Sequence, residues 1–395
     1  MKEGWEYKTL GECCEILNGY PFKSSLYSNS GIRVIRITNV QKGYVIDSNP
    51  KYYPESKINE ISNFILKNED ILISLTGNVG RVAILQKEFL PAALNQRVAC
   101  LRIKDMIVNK KFLFFYLNND LFEKLCIKNS TGAAQLNMST VWLKKQIIPI
   151  PSYDEQRRIV SYLDSSFKLI DEIKNKALKS LTEAKALFQS ALAEAMEPKE
   201  GWEEKTLGEI ATEMYRGSGI KRDQITPIGY PCLRYGEIYT TYNYSFSECI
   251  SHTNESIISP KKYFEKGDIL FAITGESVED IGKCIAYTGK EKCLLGGDIV
   301  AMKHNQYPQF LAYALSTKEA IRQKGLGKVK LKVVHTNIPA LKTIRIYLPN
   351  FPTQKRIVSH LDKLSSKVRA IEEKYQKMVE ECDALKQAML RDVFE

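Results

Sequence analysis

From residue 357 onward the apolar positions fall at alternating steps of four and three: Ile357, Leu361, Leu364, Val368, Ile371, Tyr375, Met378, Cys382, Leu385 and Met389. This is a heptad seam sustained over more than four heptads, and it predicts one long helix with an apolar edge. The ten positions 198 residues earlier hold Ile159, Leu163, Ser166, Ile170, Ile173, Ala177, Ser180, Ala184, Leu187 and Ala191. The register is kept while the side chains shrink. Large residues on one helix facing Ala and Ser on the other predict that the two pack on each other. Pro149, Pro151 and a Ser152-x-x-Glu155 capping box precede the first helix, and Pro349 and Pro352 precede the second. About 44 residues per helix span roughly 66 Å.

Ahead of each helix the period changes. Short β-rich runs, at 32–40, 70–76, 81–85 and 98–103, are separated by Gly, Asn and Ser turns, and a helical stretch near 110–127 has a counterpart near 307–324. Each half is therefore expected to be an α+β domain rather than a βαβ series. The halves are copies. Residues 3–12 (EGWEYKTLGE) return at 200–209 (EGWEEKTLGE), 70–77 (DILISLTG) at 268–275 (DILFAITG) and 155–164 (EQRRIVSYLD) at 353–362 (TQKRIVSHLD). Two copies are too few for a solenoid. The expected division is a first domain over 1–151, a long helix over 152–197, a second domain over 198–349 and a second long helix over 350–395. Since the second helix starts where the second domain ends, burying both seams inside one chain requires it to run back antiparallel, bringing Glu395 beside the first domain in a pseudo-two-fold arrangement. A parallel coiled coil between two copies of the chain is the other use of one long heptad helix.

The formal charge of +11 is unevenly placed: residues 1–151 carry 20 basic against 13 acidic side chains and 198–349 carry 21 against 17, while the helical segments carry 7 against 8 and 9 against 8. The excess sits in the globular halves, where a polyanion would be gripped. No run approaches the ~20 apolar residues of a membrane span, and the opening residues lack a signal-peptide core, so a soluble intracellular protein is expected. The nine cysteines include no CxxC pair and no zinc-finger spacing, and are expected to be reduced.

Comparing the copies separates shared from divergent polar positions. Lys23 and Lys221, Arg36 and Arg234, and Arg81 and Lys283 keep a positive charge and are candidate phosphate contacts. Thr38-Asn39 becomes Gly236-Glu237, Asn78 becomes Glu276, and Asn95-Gln96-Arg97 becomes Gly296-Gly297-Asp298. These positions, with Gln135 and Arg216, are candidate base readers, because Asn and Gln suit adenine, Arg guanine and carboxylates cytosine. Drift at exposed loops would produce the same differences. The loop TGAAQLNMS (131–139) is replaced in the second copy by one carrying Lys328, Lys330 and Lys332 at alternate positions; these would face a phosphate backbone from a strand, or blunt an edge strand. Catalytic signatures are missing: Asn49-Pro50-Lys51-Tyr52 is a broken form of the adenine-methyltransferase N-P-P-Y motif, and His252, His304, His335 and His360 do not cluster. No metal site is expected.

The duplicated GW-x-x-K-x-LGE opening, the D-I-L-x-x-x-TG turn, TGAAQLNMS leading into IIPIP (147–151) and EQRRIV heading the long helix resemble the specificity (S) subunits of type I restriction-modification systems. The resemblance covers nearly the whole chain and weakens at 325–338. It implies two target-recognition domains, each reading one half of a bipartite asymmetric site in double-stranded DNA, with an intramolecular pair of helices as the ruler between them. It also implies docking of two methyltransferase (M) subunits that bring S-adenosylmethionine, and of restriction/translocase (R) subunits using ATP and Mg. The chain itself would bind no cofactor, catalyse nothing and work in the prokaryotic cytoplasm. Two readers on one DNA face would sit roughly 34 Å apart. A non-catalytic coiled-coil tether whose domains bind protein is the alternative, and a methyltransferase is a third.

Overall fold

The computed structural model describes residues 4–104, 107–132, 135–327 and 333–395. The chain divides into two compact units, 1–178 with 376–395, and 179–375, so the boundary falls inside both long helices.

In the first unit Glu6–Thr9 pairs antiparallel with Ile147–Ile150. The strand runs straight into a helical turn because Thr9 and Glu12 cap one another: the Thr9 N–H donates to the Glu12 carboxylate (2.6 Å) and the Glu12 N–H to the Thr9 hydroxyl (3.2 Å). The Thr9 hydroxyl, which also donates to that carboxylate (2.5 Å), and then the Thr9 N–H hold the Glu12 carboxyl below its ordinary range. Four antiparallel strands follow in the order Cys14–Asn18, Val98–Ile103, Ile71–Ser74, Val82–Ile84. Every side chain of Ile71–Ser74 is buried, as befits a central strand packed on both faces. Asp70, just before it, is also buried and takes a two-pronged contact from Arg102 (3.0 and 2.8 Å). A second sheet orders Tyr52–Tyr53, Ile32–Ile35 and Ala92–Leu94, the last two parallel. The strand expected to reach Val40 stops at Ile35, since the Asn39 side chain accepts from the Arg36 N–H (2.9 Å) and turns the chain.

The first long helix, Tyr153–Ala195, is anchored to this domain by Gln156, which is fully buried. Its amide oxygen accepts from the Asn109 N–H (2.7 Å), and its amide nitrogen donates to the carbonyls of Ile107 and Pro151 (both 2.9 Å). Within the same unit the last turns of the second long helix, Phe351–Phe394, lie against it. Lys174 pairs with Asp383 (2.6 Å) and Asp171 with Lys386 (2.5 Å), and this crossed numbering makes the helices antiparallel within one chain. Phe394 packs on Phe112 and Tyr116 (both 5.4 Å between rings), and Trp5 joins the same cluster.

The second unit repeats the plan. Glu203–Thr206 pairs with Arg345–Leu348, and Thr206 and Glu209 form the same reciprocal cap. Two five-stranded sheets replace the four- and three-stranded ones; the first runs Ala211–Arg216, Ile299–His304, Ile269–Ala272, Cys284–Tyr287, Ser245–Phe246. Gln354, 1% exposed, repeats the anchor: it accepts from the Tyr307 N–H (3.0 Å) and donates to the Pro349 carbonyl (2.9 Å) and the Gln306 side chain (2.8 Å). Ala184, Phe188, Leu192 and Met196 of the first long helix enter this core together with Val358, Leu361 and Val368 of the second.

The helical seam is narrower than the heptad pattern predicts. Ile159, Leu163, Ile170, Leu361 and Val368 are buried, and Ile357, Leu364, Met378 and Met389 are half-buried. Ile173, Leu187, Ile371 and Leu385 are instead 48, 60, 42 and 51% exposed. The buried line runs one residue per heptad through Leu163, Ile170, Ala177 and Ala184, then switches to steps of four at Phe188, Leu192 and Met196 as the helix turns its i, i+4 ridge to the second core. The other heptad position, displaced around each helix, points outward at equivalent places in both copies.

Candidate nucleic-acid interface

In the first domain five loops are tied into one rim by backbone hydrogen bonds. Tyr20 donates to Leu94 (2.8 Å), Gln96 to Tyr20 (3.0 Å), Leu75 to Arg97 (2.9 Å), Met138 to Leu75 (2.7 Å) and Gly77 to Leu136 (2.8 Å). Asn95 donates to Ile35 (3.1 Å), which brings in the loop bearing Thr38. Gly19 makes the closure possible: a Cβ there would lie 2.2 Å from the Asn95 backbone. Thr38, Asn78, Gln96, Arg97 and Gln135 are all exposed on these loops, and the Gln135 amide lies over the Gly77 turn. Lys23 is exposed on the stretch that follows Tyr20.

The second domain builds its rim in the same register. Ile273 donates to Asp298 as Leu75 does to Arg97, and Thr336 donates to Ile273 as Met138 does to Leu75 (both 3.0 Å). Gly217 again permits close approach, with a Cβ placed 2.2 Å from the Gly296 carbonyl oxygen. Arg97 and Asp298 are therefore structural equivalents. Glu276 is exposed here, and His335, with its ring 3.1 Å from the Thr274 hydroxyl, sits on the paired strand Val334–His335. Comparison of the sequence copies missed His335, because its loop does not align. Arg216 is 60% exposed in its side chain but is held by Asp298 (2.8 Å) and by the Gly297 carbonyl (2.5 Å). Lys221 is exposed. Lys328, Lys330 and Lys332 lie outside the described residues.

Several candidates make hydrogen bonds within their own domain. Asn39 is 3% exposed; besides capping the Arg36 N–H it donates to the Ile46 carbonyl (2.9 Å), so it clamps a loop rather than facing a ligand. Glu237, 198 positions on, caps the Arg234 N–H (3.2 Å) and takes the Ser251 hydroxyl (2.6 Å). The Asn-to-Glu change keeps one structural job. Asn95, 9% exposed, accepts from the Arg97 N–H (3.1 Å) and shapes the turn. Among the cations, Arg36 donates to the Asn49 carbonyl (2.5 Å) and Arg81 to Gln41 (2.6 Å). The Lys283 ammonium is half-buried against the carbonyls of Tyr239 and Tyr242, and burial pulls its pKa down. Arg234 is half-buried. Arg36, Arg81 and Lys283 are thus occupied by their own domains, leaving Lys23 and Lys221 as the exposed members of the candidate phosphate set among the described residues. Among the described residues no group of three or more His, Cys, Asp or Glu could hold a metal, no helix is long and apolar enough to cross a membrane, and the cysteines are free thiols.

One scaffold used twice, with the same hydrogen-bond register and different exposed side chains on each rim, defines a duplicated α+β protein with an intramolecular antiparallel helix pair. Residues 2–183 and 199–381 both match the family model "Type I restriction modification DNA specificity domain", and the chain belongs to that family. It is 32% identical over 179 residues to the Type I restriction enzyme EcoAI specificity subunit of Escherichia coli (44% of this chain, 30% of that one). It is 31% identical over 196 residues to the MjaVIII specificity subunit of Methanocaldococcus jannaschii (49% and 46%). The chain spans less than half the length of either relative in these matches. A solved chain from work on complex assembly and conformational transition of the type I R-M system superposes with a TM-score of 0.71 over 100% of this chain and 98% of that one; at 18% identity this likeness shows the fold.

Proposed function

We propose that this chain is the DNA specificity subunit of a type I restriction-modification complex. Residues 1–151 and 198–349 act as recognition domains for the two halves of a bipartite, asymmetric site in double-stranded DNA. The helices of 152–197 and 350–395 set the spacing between them and dock two methyltransferase subunits. S-adenosylmethionine, and ATP with Mg for restriction, are supplied through the methyltransferase and restriction/translocase subunits, and this chain performs no chemistry. The protein works in the prokaryotic cytoplasm. The observation that carries this reading is the pair of rims: the backbone bond that places Arg97 in one domain places Asp298 in the other, as expected when one frame presents two different readers.

The test exchanges residues 1–150 for another recognition domain and maps methylated adenines in a host that also makes the methyltransferase partner. One half of the methylated site should change and the other persist. Persistence of both halves, or binding of the purified chain to DNA without a steep salt dependence, would remove DNA reading from these domains and leave a protein-binding tether.

A further inference from the structure

The first domain contains five arginines, Arg33, Arg36, Arg81, Arg97 and Arg102. Four are occupied within the domain: Arg33 pairs with Asp47, Arg36 holds the Asn49 carbonyl, Arg81 holds Gln41 and Arg102 grips Asp70. The Arg97 guanidinium has no acceptor among the described residues, and it stands exposed on the rim beside Gln96. Its backbone is fixed from both sides, by the Asn95 side chain at its N–H and the Leu75 N–H at its carbonyl. A rigid base with an uncommitted five-donor fork is suited to capture of an acceptor pair from outside.

The second copy distinguishes phosphate from base. A phosphate contact needs a hydrogen-bond donor in either copy, yet the residue held by the equivalent backbone bond is Asp298, a carboxylate, with Gly297 in place of Gln96. Asp298, paired through one oxygen with Arg216, offers a phosphate no donor, whereas its other oxygen can accept from cytosine at a base edge. The exchange of a donor for an acceptor at one backbone position suits base edges and not phosphates. Resting on the DNA-reading function proposed above, we infer that Arg97 reads a guanine in the half-site of the first domain, its fork meeting the O6 and N7 acceptors. Because the fork is unpaired beforehand, no internal bond has to break on binding. The second domain carries no free guanidinium at this position, since Arg216 is committed to Asp298 and the Gly297 carbonyl.

The experiment uses the full chain with its methyltransferase partner and compares Arg97→Ala and Arg97→Lys with the parent, by methylated-adenine mapping and by selection from randomised duplexes. The half-site assigned to residues 1–150 by domain exchange should contain a guanine that becomes degenerate in Arg97→Ala. Discrimination there should fall about 5- to 150-fold, the value of one bidentate pair, with the other half-site unchanged. Arg97→Lys should keep affinity but lose most of that discrimination. Rescue of both affinity and motif by Lys, a uniform loss at every site in Arg97→Ala, or an unchanged motif would each overturn the assignment. A domain exchange that alters neither half-site would instead bring down the parent reading, and this assignment with it.

Discussion

Gln156 offers the sharpest test of what joins the long helix to its domain. Its side chain is fully buried and makes three hydrogen bonds, to the Asn109 N–H and to the carbonyls of Ile107 and Pro151. Gln156→Leu keeps the volume but strands one donor and two acceptors. Each buried unsatisfied group costs about 1–3 kcal/mol, and the carbonyls, with two lone pairs each, fall at the low end, which gives a loss of about 3 kcal/mol. For units of this size that lowers the midpoint of the first unit's thermal transition by roughly 6–12 °C. Scanning calorimetry of the full chain measures it, with urea titration as the check on free energy. Gln156→Glu adds a sign. Its carboxylate would face two carbonyls in a buried site, so the folded-state pKa would rise above the unfolded ~4.3 and the defect should be mild below that pH and grow as pH rises to 7. A loss under about 1 kcal/mol for Gln156→Leu, or a Glu variant indifferent to pH, would refute the view that this amide anchors the helix.

Three further outcomes are expected. Burial lowers the His304 pKa to about 4; the unfolded chain therefore binds the extra proton first, so the second unit should lose about 2 kcal/mol as pH falls from 6.5 to 4, a slope that His304→Gln abolishes in pH-dependent denaturation. Lys324, 6% exposed, donates among the described residues to the Gly282 carbonyl (3.0 Å), and burial depresses its pKa, so it costs stability below its unfolded pKa; Lys324→Met should stabilise the second unit at pH 7 by about 1–3 kcal/mol, and the parent should gain stability toward pH 10. Phe394→Ala removes the ring that meets Phe112 and Tyr116; limited proteolysis should then cut the last turns of the second helix faster, with a stability loss of about 2–3 kcal/mol.

Which features were legible in the sequence follows from how local their causes are. The duplicated Thr-Leu-Gly-Glu openings are capping boxes completed within four residues, so their meaning is written where they stand. The antiparallel helix pair follows from matched lengths and register. The exposure of Ile173, Leu187, Ile371 and Leu385 was not legible, because a heptad marks which positions are apolar while the rotation of each helix is set by domain cores distant in sequence. Asn39 and Glu237 show a second limit. Asn and Glu at a loop serve equally as base readers or backbone caps, and only the positions of the Arg36 and Arg234 N–H groups decide between them. The Gln156 and Gln354 anchors did leave a signal, an identical Gln in both copies of an otherwise basic segment. Charge and heptad counting do not weigh such a residue.

The unit that begins at the first residue needs residues 376–395 to be whole. Phe112, Phe115, Ile159 and Leu163 are covered in part by Leu390, Met389, Val393 and Phe394. During synthesis, then, the first domain and the start of its helix emerge with an apolar face that stays open until the second copy has been made. With residue 178 and residue 395 separated by just over half the chain, elongation at ~5–20 residues per second leaves that face uncovered for about 10–40 s. A ribosome stalled anywhere between the two halves would hold a sticky, incomplete first unit, and a finished first unit exists only in a chain that has also received its second copy.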